Sequence, residues 1–349
     1  MSNPIRIGLV GLGRAGVGMH LPELESRKDK FKVVAVCDII EERAKEYGEK
    51  LGAKAYTDIA DLISDPDVEL VDIATRSADH YAHAKAALLA GKDVQLEKPF
   101  SEHAWQAEEL AALGSQPAGP HLYICHNRRF EDHFEQAQNI IDSGLIGQVY
   151  EIKLARNSYD RRRDWQTLSA FGGGQLLNWG PHIVDHSLRF CGGKYEVMYS
   201  DIQHIAAGGD CEDHIKIVFT GENGRIVDME ISGGCAVPMP EYVMYGSKGS
   251  LISEREGFHV RYLNPDKVLS PVVSDPATPG SKESFGSGEK LEWVDRIIPY
   301  ESYGDCVRIW DHLYAAIREN KPHPVTLAQA VDVIRVIDDV KSGTIFDHD

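Results

Sequence analysis

Through the first third of the chain, short apolar runs alternate with longer stretches that read as helices. The runs at 5–10, 31–37, 68–74, 92–96 and 121–126 are mainly apolar along their length, as strands covered on both faces are. Between them, 41–51, 58–63 and 80–90 read as helices; Gly52 and Gly91 stand where two of these must end, and Asp65-Pro66-Asp67 stops the third. Strands alternating with helices across short connections predict right-handed parallel crossovers and a doubly wound sheet.

The pattern then changes. Ser101 is placed to cap a helix reaching residue 113, a breaker-rich loop fills 114–120, and a further helix is expected over 134–142. Residues 149–155 alternate, with Tyr150, Ile152 and Leu154 on one side. Runs at 194–200, 214–219, 225–231, 242–245, 249–253 and 259–263 are of β type, separated by Gly or polar turns. A stretch rich in Ser, Pro, Gly and charge at 265–288 reads as an excursion. Helices are expected at 302–319 and 327–341, the second capped by Thr326. Two domains follow, 1–126 and 127–349, with the final helix free to pack back on the first.

Composition narrows the function classes. The chain has 349 residues, 42% of them hydrophobic and 26% charged, ordinary for a folded protein with two cores. Its formal charge of −17 repels a nucleic-acid backbone. No apolar run approaches the roughly 20 residues that span a bilayer, and no leader pattern opens the chain, so neither a nucleic-acid nor a membrane partner is expected. Cys37, Cys125, Cys191, Cys211, Cys235 and Cys306 lie far apart without metal-type spacing and read as free thiols of a reducing compartment, the cytoplasm.

The candidate chemistry begins at the first strand, which runs straight into Gly11-Leu12-Gly13-Arg14-Ala15-Gly16. Between a strand and a helix this spacing is a dinucleotide fingerprint. The first glycine permits the turn, the second admits a pyrophosphate, and the third lets helix and strand pack closely. The second strand ends in Asp38, where a carboxylate accepts hydrogen bonds from an adenosine ribose. Ile39 and Ile40 follow with no arginine for a 2′-phosphate, which favours NAD; Arg43 on the next helix is within reach of a phosphate and keeps NADP open. Thr75 follows the next strand in a loop near the cofactor. Glu97-Lys98-Pro99 then sets an acid and a base at a strand's carboxyl end, where ligands of such sheets bind. A lysine there, its pKa lowered by burial, shares protons near neutrality.

The glycine fingerprint, Asp38, Glu97-Lys98-Pro99, and Gly172-Gly173-Gly174 followed by His182 and Asp185 together resemble the Gfo/Idh/MocA oxidoreductases. The resemblance covers nearly the whole chain. It implies an α/β protein: an N-terminal Rossmann domain with a doubly wound parallel sheet, and a C-terminal α+β domain with a large open, mostly antiparallel sheet. It also implies a nicotinamide cofactor, a sugar or polyol substrate, and a dimer or tetramer formed through the second sheet. By resemblance Lys98 is a catalytic lysine beside the nicotinamide, where Glu97 also lies, and His182 is the general base. Asn178, His182 and Asp185 are spaced to share one helical face. Asn178 stands where many relatives carry aspartate, so it orients groups but lends no charge, while Asp185 orients substrate and base.

Second-rank substrate contacts are Arg128 of Asn127-Arg128-Arg129-Phe130, and Tyr159 and Trp165 around the run Arg161-Arg162-Arg163. An interdomain ion pair at Arg128 and a solvated charged face at 161–163 are the plainer readings of those segments. Pro181 inside the helical pattern predicts a kink or a late start. His182 and His186, with an acid between them, also fit a zinc pair, but such motifs carry glutamate, and no metal is expected. The sequence thus reads as an NAD-dependent dehydrogenase of a sugar, glycoside or cyclic polyol. Two alternatives share its motifs: a glycoside hydrolase working by transient oxidation and elimination, and a non-catalytic NAD(H)-responsive binding protein.

Overall fold

The computed structural model describes residues 3–274, 276 and 289–347. The expected excursion at 265–288 falls partly outside them, since 275 and 277–288 are not among the described residues.

Six strands form the first sheet: β1 (Ile5–Val10), β2 (Phe31–Cys37), β3 (Lys54–Tyr56), β4 (Leu70–Ile73), β5 (Asp93–Leu96) and β6 (Leu122–Ile124). Their order is β3-β2-β1-β4-β5-β6 and every pairing is parallel, which is the doubly wound arrangement expected. The register aligns Val10 with Cys37 and Ile73, Ile73 with Leu96, and Leu96 with Ile124. The chain therefore leaves five strands along one edge, setting Gly11, Asp38, Ala74, Glu97 and Cys125 side by side. β3 escaped the sequence pattern because it is a three-residue edge strand, half polar and largely exposed.

The second sheet has eight strands: β7 (Val149–Asn157), β8 (Tyr195–Gln203), β9 (His214–Gly221), β10 (Ile226–Ser232), β11 (Tyr242–Gly246), β12 (Gly249–Ser253), β13 (Gly257–Leu263) and β14 (Trp293–Pro299). In the order β14-β13-β12-β11-β7-β10-β9-β8, only the central β7–β10 pair is parallel. β9 alternates strictly, burying Ile215, Ile217 and Phe219 on one face, the period-2 signature of a sheet covered on one side. The covering element is the helix Gly180–Cys191, in which every residue but Arg189 is buried.

Several element ends differ from expectation for local reasons. The helix expected from Ser101 begins at Ala104, because His103 and Gln106 form its capping box; Ser101 Oγ instead donates to the His103 carbonyl. The helix expected from residue 302 begins at Arg308. Thr326 does cap the last helix, Leu327–Lys341, through a capping box with Gln329. The expected continuous helix around Asn178 and His182 is two: Gln175–Asn178 and Gly180–Cys191, joined at Trp179. Pro181 falls in the first turn of the second, where its missing N–H costs nothing, so it marks a late start.

Both terminal helices return to the first sheet. Ile309, Trp310 and Leu313 from Arg308–Glu319 cover Ile5, Ile7, Phe31 and Leu70. Leu327–Lys341 packs between the helices Gly180–Cys191 and Ala104–Leu113, where Asp338 accepts the Ala104 N–H at 2.9 Å. These contacts hold the two sheets together beside the shared strand edge.

Candidate active site

The glycine loop closes as a dinucleotide cradle requires. Gly11 has φ of +93°, and a Cβ there would lie 2.5 Å from the Ala74 carbonyl oxygen. A Cβ on Gly16 would lie 2.1 Å from the Gly11 oxygen, whereas one on Gly13 would meet nothing within 4 Å. Gly11 and Gly16 are thus fixed by backbone packing, and Gly13 faces open space where a diphosphate can approach. Arg14 is exposed beside it, and Ala15 packs against the Leu9–Leu12 cluster. Asp38 is buried and ties the loop to β2: its carboxylate accepts the Leu12 and Ile40 N–H groups, each at 2.9 Å, and the Arg43 guanidinium at 3.2 Å. These residues fit a nicotinamide dinucleotide. Thr75 lies on the same edge, its Oγ1 3.2 Å from His83 Nδ1.

The helix after the loop contains a π-helical segment, Gly16–His20, that turns His20 inward. His20 Nδ1 lies 2.8 Å from Asp72 Oδ2 and Nε2 lies 3.1 Å from Glu97 Oε1, all three residues being buried. An imidazole flanked by carboxylates at both nitrogens is an imidazolium. Burial opposes that charge, but Asp72 and Glu97 outweigh it and raise the His20 pKa well above its ordinary value. Burial likewise opposes ionisation of Glu97, yet the bond and charge of His20 hold it at about 2. The other Glu97 oxygen accepts the Lys98 N–H at 3.0 Å. Glu97, expected at the cofactor, is therefore a buried support beneath Lys98. Donor atoms of His20, Glu97 and Cys125 lie within 4.8 Å of one another, but both imidazole nitrogens are committed to carboxylates, which suits an ion pair rather than a metal.

Lys98 Nζ points across to the end of the helix Gln175–Asn178, donating to the Asn178 carbonyl at 3.2 Å and to its Oδ1 at 3.4 Å. Gln166 Nε2 donates to the same Oδ1 at 3.3 Å. Burial and the Arg128 charge lower the Lys98 pKa, against the pull of Glu97. The Lys98–Pro99 bond is cis, and the Pro99 carbonyl is held 2.7 Å from His80 Nδ1. His182 is buried, one turn beyond Trp179, and its Nδ1 has no partner among the described residues. Burial, with the nearby charges of Lys98 and Arg128, holds its pKa well below the ordinary value, so the ring is neutral at neutral pH. The site thus brings a cationic amine, a neutral imidazole and an amide together at the sheet edge.

Asp185 departs from its expected part. Its carboxylate is taken by Arg129, through Nε at 2.9 Å and a close second contact from Nη2, leaving it 1% exposed. It anchors the helix to the segment after β6 rather than orienting substrate. His186 points away as well, with Nε2 2.8 Å from the Arg128 carbonyl and its ring stacked on Phe134, so it shares no ligand position with His182. Arg128 lies over the Trp179 ring at 4.5 Å, Arg156 lies over it at 4.6 Å, and both guanidinia pair with Glu131. Tyr159 is exposed and bridges to Gly234, while Trp165 opens a short 3₁₀ turn. The tryptophan that lines the cleft between the sheets is Trp179.

Sequence comparison assigns both halves. Residues 5–117 match the oxidoreductase family with an NAD-binding Rossmann fold, and 134–252 match the GFO/IDH/MocA C-terminal domain. The chain belongs to the Gfo/Idh/MocA oxidoreductases. Within this family it is 28% identical over 345 residues to the uncharacterized oxidoreductase YhhX of Escherichia coli, covering 96% of this chain and 95% of that one. It is 25% identical over 344 residues to the scyllo-inositol 2-dehydrogenase (NADP(+)) IolW of Bacillus subtilis, covering 96% and 92%. The solved structure of an NAD-binding protein from Listeria innocua superposes with a TM-score of 0.81 at 21% identity, over 97% of this chain and 96% of that one, and so shares the family fold.

Proposed function

We propose that the protein is an NAD-dependent dehydrogenase that oxidises a secondary hydroxyl of a sugar or polyol. The observation that carries this reading is that Lys98, at the edge where five parallel strands end, donates to Asn178 four residues before the buried His182, whose Nδ1 has no partner among the described residues. A bound nicotinamide supplies the hydride acceptor. His182 takes the hydroxyl proton, for which a neutral imidazole of low pKa is ready at neutral pH. Lys98 donates to the same substrate oxygen and stabilises the charge that grows there as the proton leaves. Asn178 holds the Lys98 amine in position, and Asp185 acts on His182 only by fixing its helix.

A relative named as an inositol dehydrogenase supports a polyol substrate. Asp38 supports NAD, because a carboxylate at the end of the second strand accepts from a ribose hydroxyl and repels a 2′-phosphate; the Arg43 contact weakens that repulsion without removing the charge. Tyr150, Met198, Tyr199 and Ile226 are exposed on the second sheet, and we propose that copies of the chain associate through it. The six free cysteines support the reducing cytoplasm. The test is NAD and NADP reduction over a panel of sugars, glycosides and cyclic polyols. Wild-type turnover by both Lys98→Ala and His182→Ala would sink the assignment, and aryl-glycoside cleavage without NADH accumulation would replace it with the hydrolase.

A further inference from the structure

Arginines of this chain are almost all engaged. Among the described residues only Arg14, Arg161, Arg163 and Arg255 lack an ionic, hydrogen-bonding or ring partner for the side chain. Three of those four line one cleft of about 690 Å³. They reach it from opposite sides: Arg14 from the glycine loop of the first sheet, Arg161 and Arg163 from the loop that follows β7. The cleft wall also includes Gln175, on the short helix whose last residue, Asn178, holds Lys98, and Trp179, the junction that follows it. The cleft is therefore joined through this helix to Asn178, which holds Lys98.

The charges of the cleft do not cancel. Arg162 is consumed by Asp164, which accepts two of its nitrogens at 3.1 and 2.9 Å. Asp160 has no cationic partner among the described residues and offsets one free guanidinium, which leaves two in excess. A chain of net charge −17 repels anions at long range, so an excess of guanidinium confined to one cleft gives an anion a local attraction there. Guanidinium is also the side chain whose planar fork matches a carboxylate or phosphate.

The geometry points to an oxyanion site across this cleft, in which Arg161 and Arg163 act with Arg14. Resting on the dehydrogenase reading, it makes the substrate an acidic sugar or polyol, bearing a carboxylate or a phosphate away from the carbon oxidised. The same chemistry resides in the dinucleotide diphosphate, which Arg14 adjoins, so the test must separate the two sources.

The experiment is calorimetric titration of the full-length NAD-loaded protein with matched probes: glucose, glucuronate and glucose 6-phosphate; galactose and galacturonate; myo-inositol and inositol 1-phosphate. Wild type, Arg161→Gln/Arg163→Gln and Arg161→Lys/Arg163→Lys are compared, with NADH affinity and melting temperature measured on each. At least one acid is expected to bind about tenfold or more tightly than its neutral partner, an advantage that the Gln pair loses and the Lys pair partly keeps. Three results overturn the site: no acid binds; neutral and acidic partners bind alike; or the Gln pair keeps the preference while its NADH affinity falls, which gives the guanidinia to the diphosphate. Turnover is read separately. An Arg-dependent preference without NAD reduction leaves the site standing and removes the dehydrogenase, whereas oxidation of neutral sugars with no preference does the reverse.

Discussion

The His20 imidazolium bonds Glu97 at 3.1 Å, from the buried side of the residue whose backbone neighbour is Lys98. With Asp72 on its other nitrogen, it is the cation buried between two carboxylates, and its bond and charge hold the Glu97 pKa down. Replacing it by glutamine leaves both acids buried without that cation, and only Glu97 keeps a positive neighbour, Lys98. That loss is expected to cost about 3–5 kcal/mol of stability, read as a fall in melting temperature. Kcat should fall as well, because Lys98 loses its fixed support, and an unchanged kcat would confine His20 to the scaffold.

The same triad sets a pH window for stability. His20 has a raised value in the folded protein, so its contribution is complete below its ordinary 6.5 and is lost as pH climbs through the raised value. Glu97 is depressed from 4.5 to about 2, so its contribution is present above 4.5 and lost as pH falls toward 2. Melting temperature against pH is expected to plateau between these limits. In His20→Gln the alkaline decline should disappear.

Turnover should carry the opposite signature at its acid end. His182 must be neutral to accept a proton, and its pKa lies well below 6.5, so the acid limb of kcat/KM is expected below that pH. Lys98 must be protonated, and its pKa is lowered from 10.5, which brings the alkaline limb in from that side. Lys98→Ala and His182→Ala should each lower kcat by about 10²–10⁴. A pH–rate profile on the best substrate checks both limbs.

Two glycines of the cradle should separate binding from folding. Gly13→Ala adds a methyl group into open space and is expected to leave the melting temperature near wild type while weakening NADH by about tenfold. Gly16→Ala drives a Cβ to within 2.1 Å of the Gly11 oxygen and should destabilise by about 1–3 kcal/mol. Fluorescence titration with NADH and thermal melts distinguish them. Equal effects of the two on stability would argue against the open face at Gly13.

Asp185 offers a contrast with the catalytic pair. Burial opposes its charge, but Arg129 outweighs burial and lowers its pKa, so the ion pair persists into acid. Asp185→Ala strands the nearly buried Arg129 guanidinium and is expected to cost about 3–5 kcal/mol of stability. Kcat/KM measured well below the melting temperature should fall less than in His182→Ala. A loss as deep as that of His182→Ala would return Asp185 to the reacting groups.

The cradle, Asp38 and Lys98 were legible because each sits at the carboxyl end of an apolar run, and a parallel sheet gathers such ends on one edge. Contacts that depend on distant partners were not. Asp185 reads as a helix neighbour of His182, but its partner Arg129 is 56 positions away and on another element. His20 has no signal in its own segment, because a π-helical turn, not a helical periodicity, aims it at Glu97. The break at Trp179 was half visible: Pro181 announced a helix start, yet nothing local fixed whether the helix bent or began again. Trp179 itself becomes conspicuous only once Arg128 and Arg156 are both seen to lie over its ring.

The helix Arg308–Glu319 has a bearing on how the molecule is made. Trp310 packs edge-on to the His20 ring at 5.3 Å and donates to Glu23, while Ile309 and Leu313 seal the outer face of β1, β2 and β4. A nascent chain that has delivered only the nucleotide-binding half exposes that face, and the buried charges beneath Lys98 still meet water. The residues that begin the protein therefore reach their working electrostatic state only after nearly all of it has left the ribosome. Synthesis order and assembly order run in opposite directions at this site, and an isolated N-terminal half would carry the nucleotide cradle without the dry setting that gives its lysine a purpose.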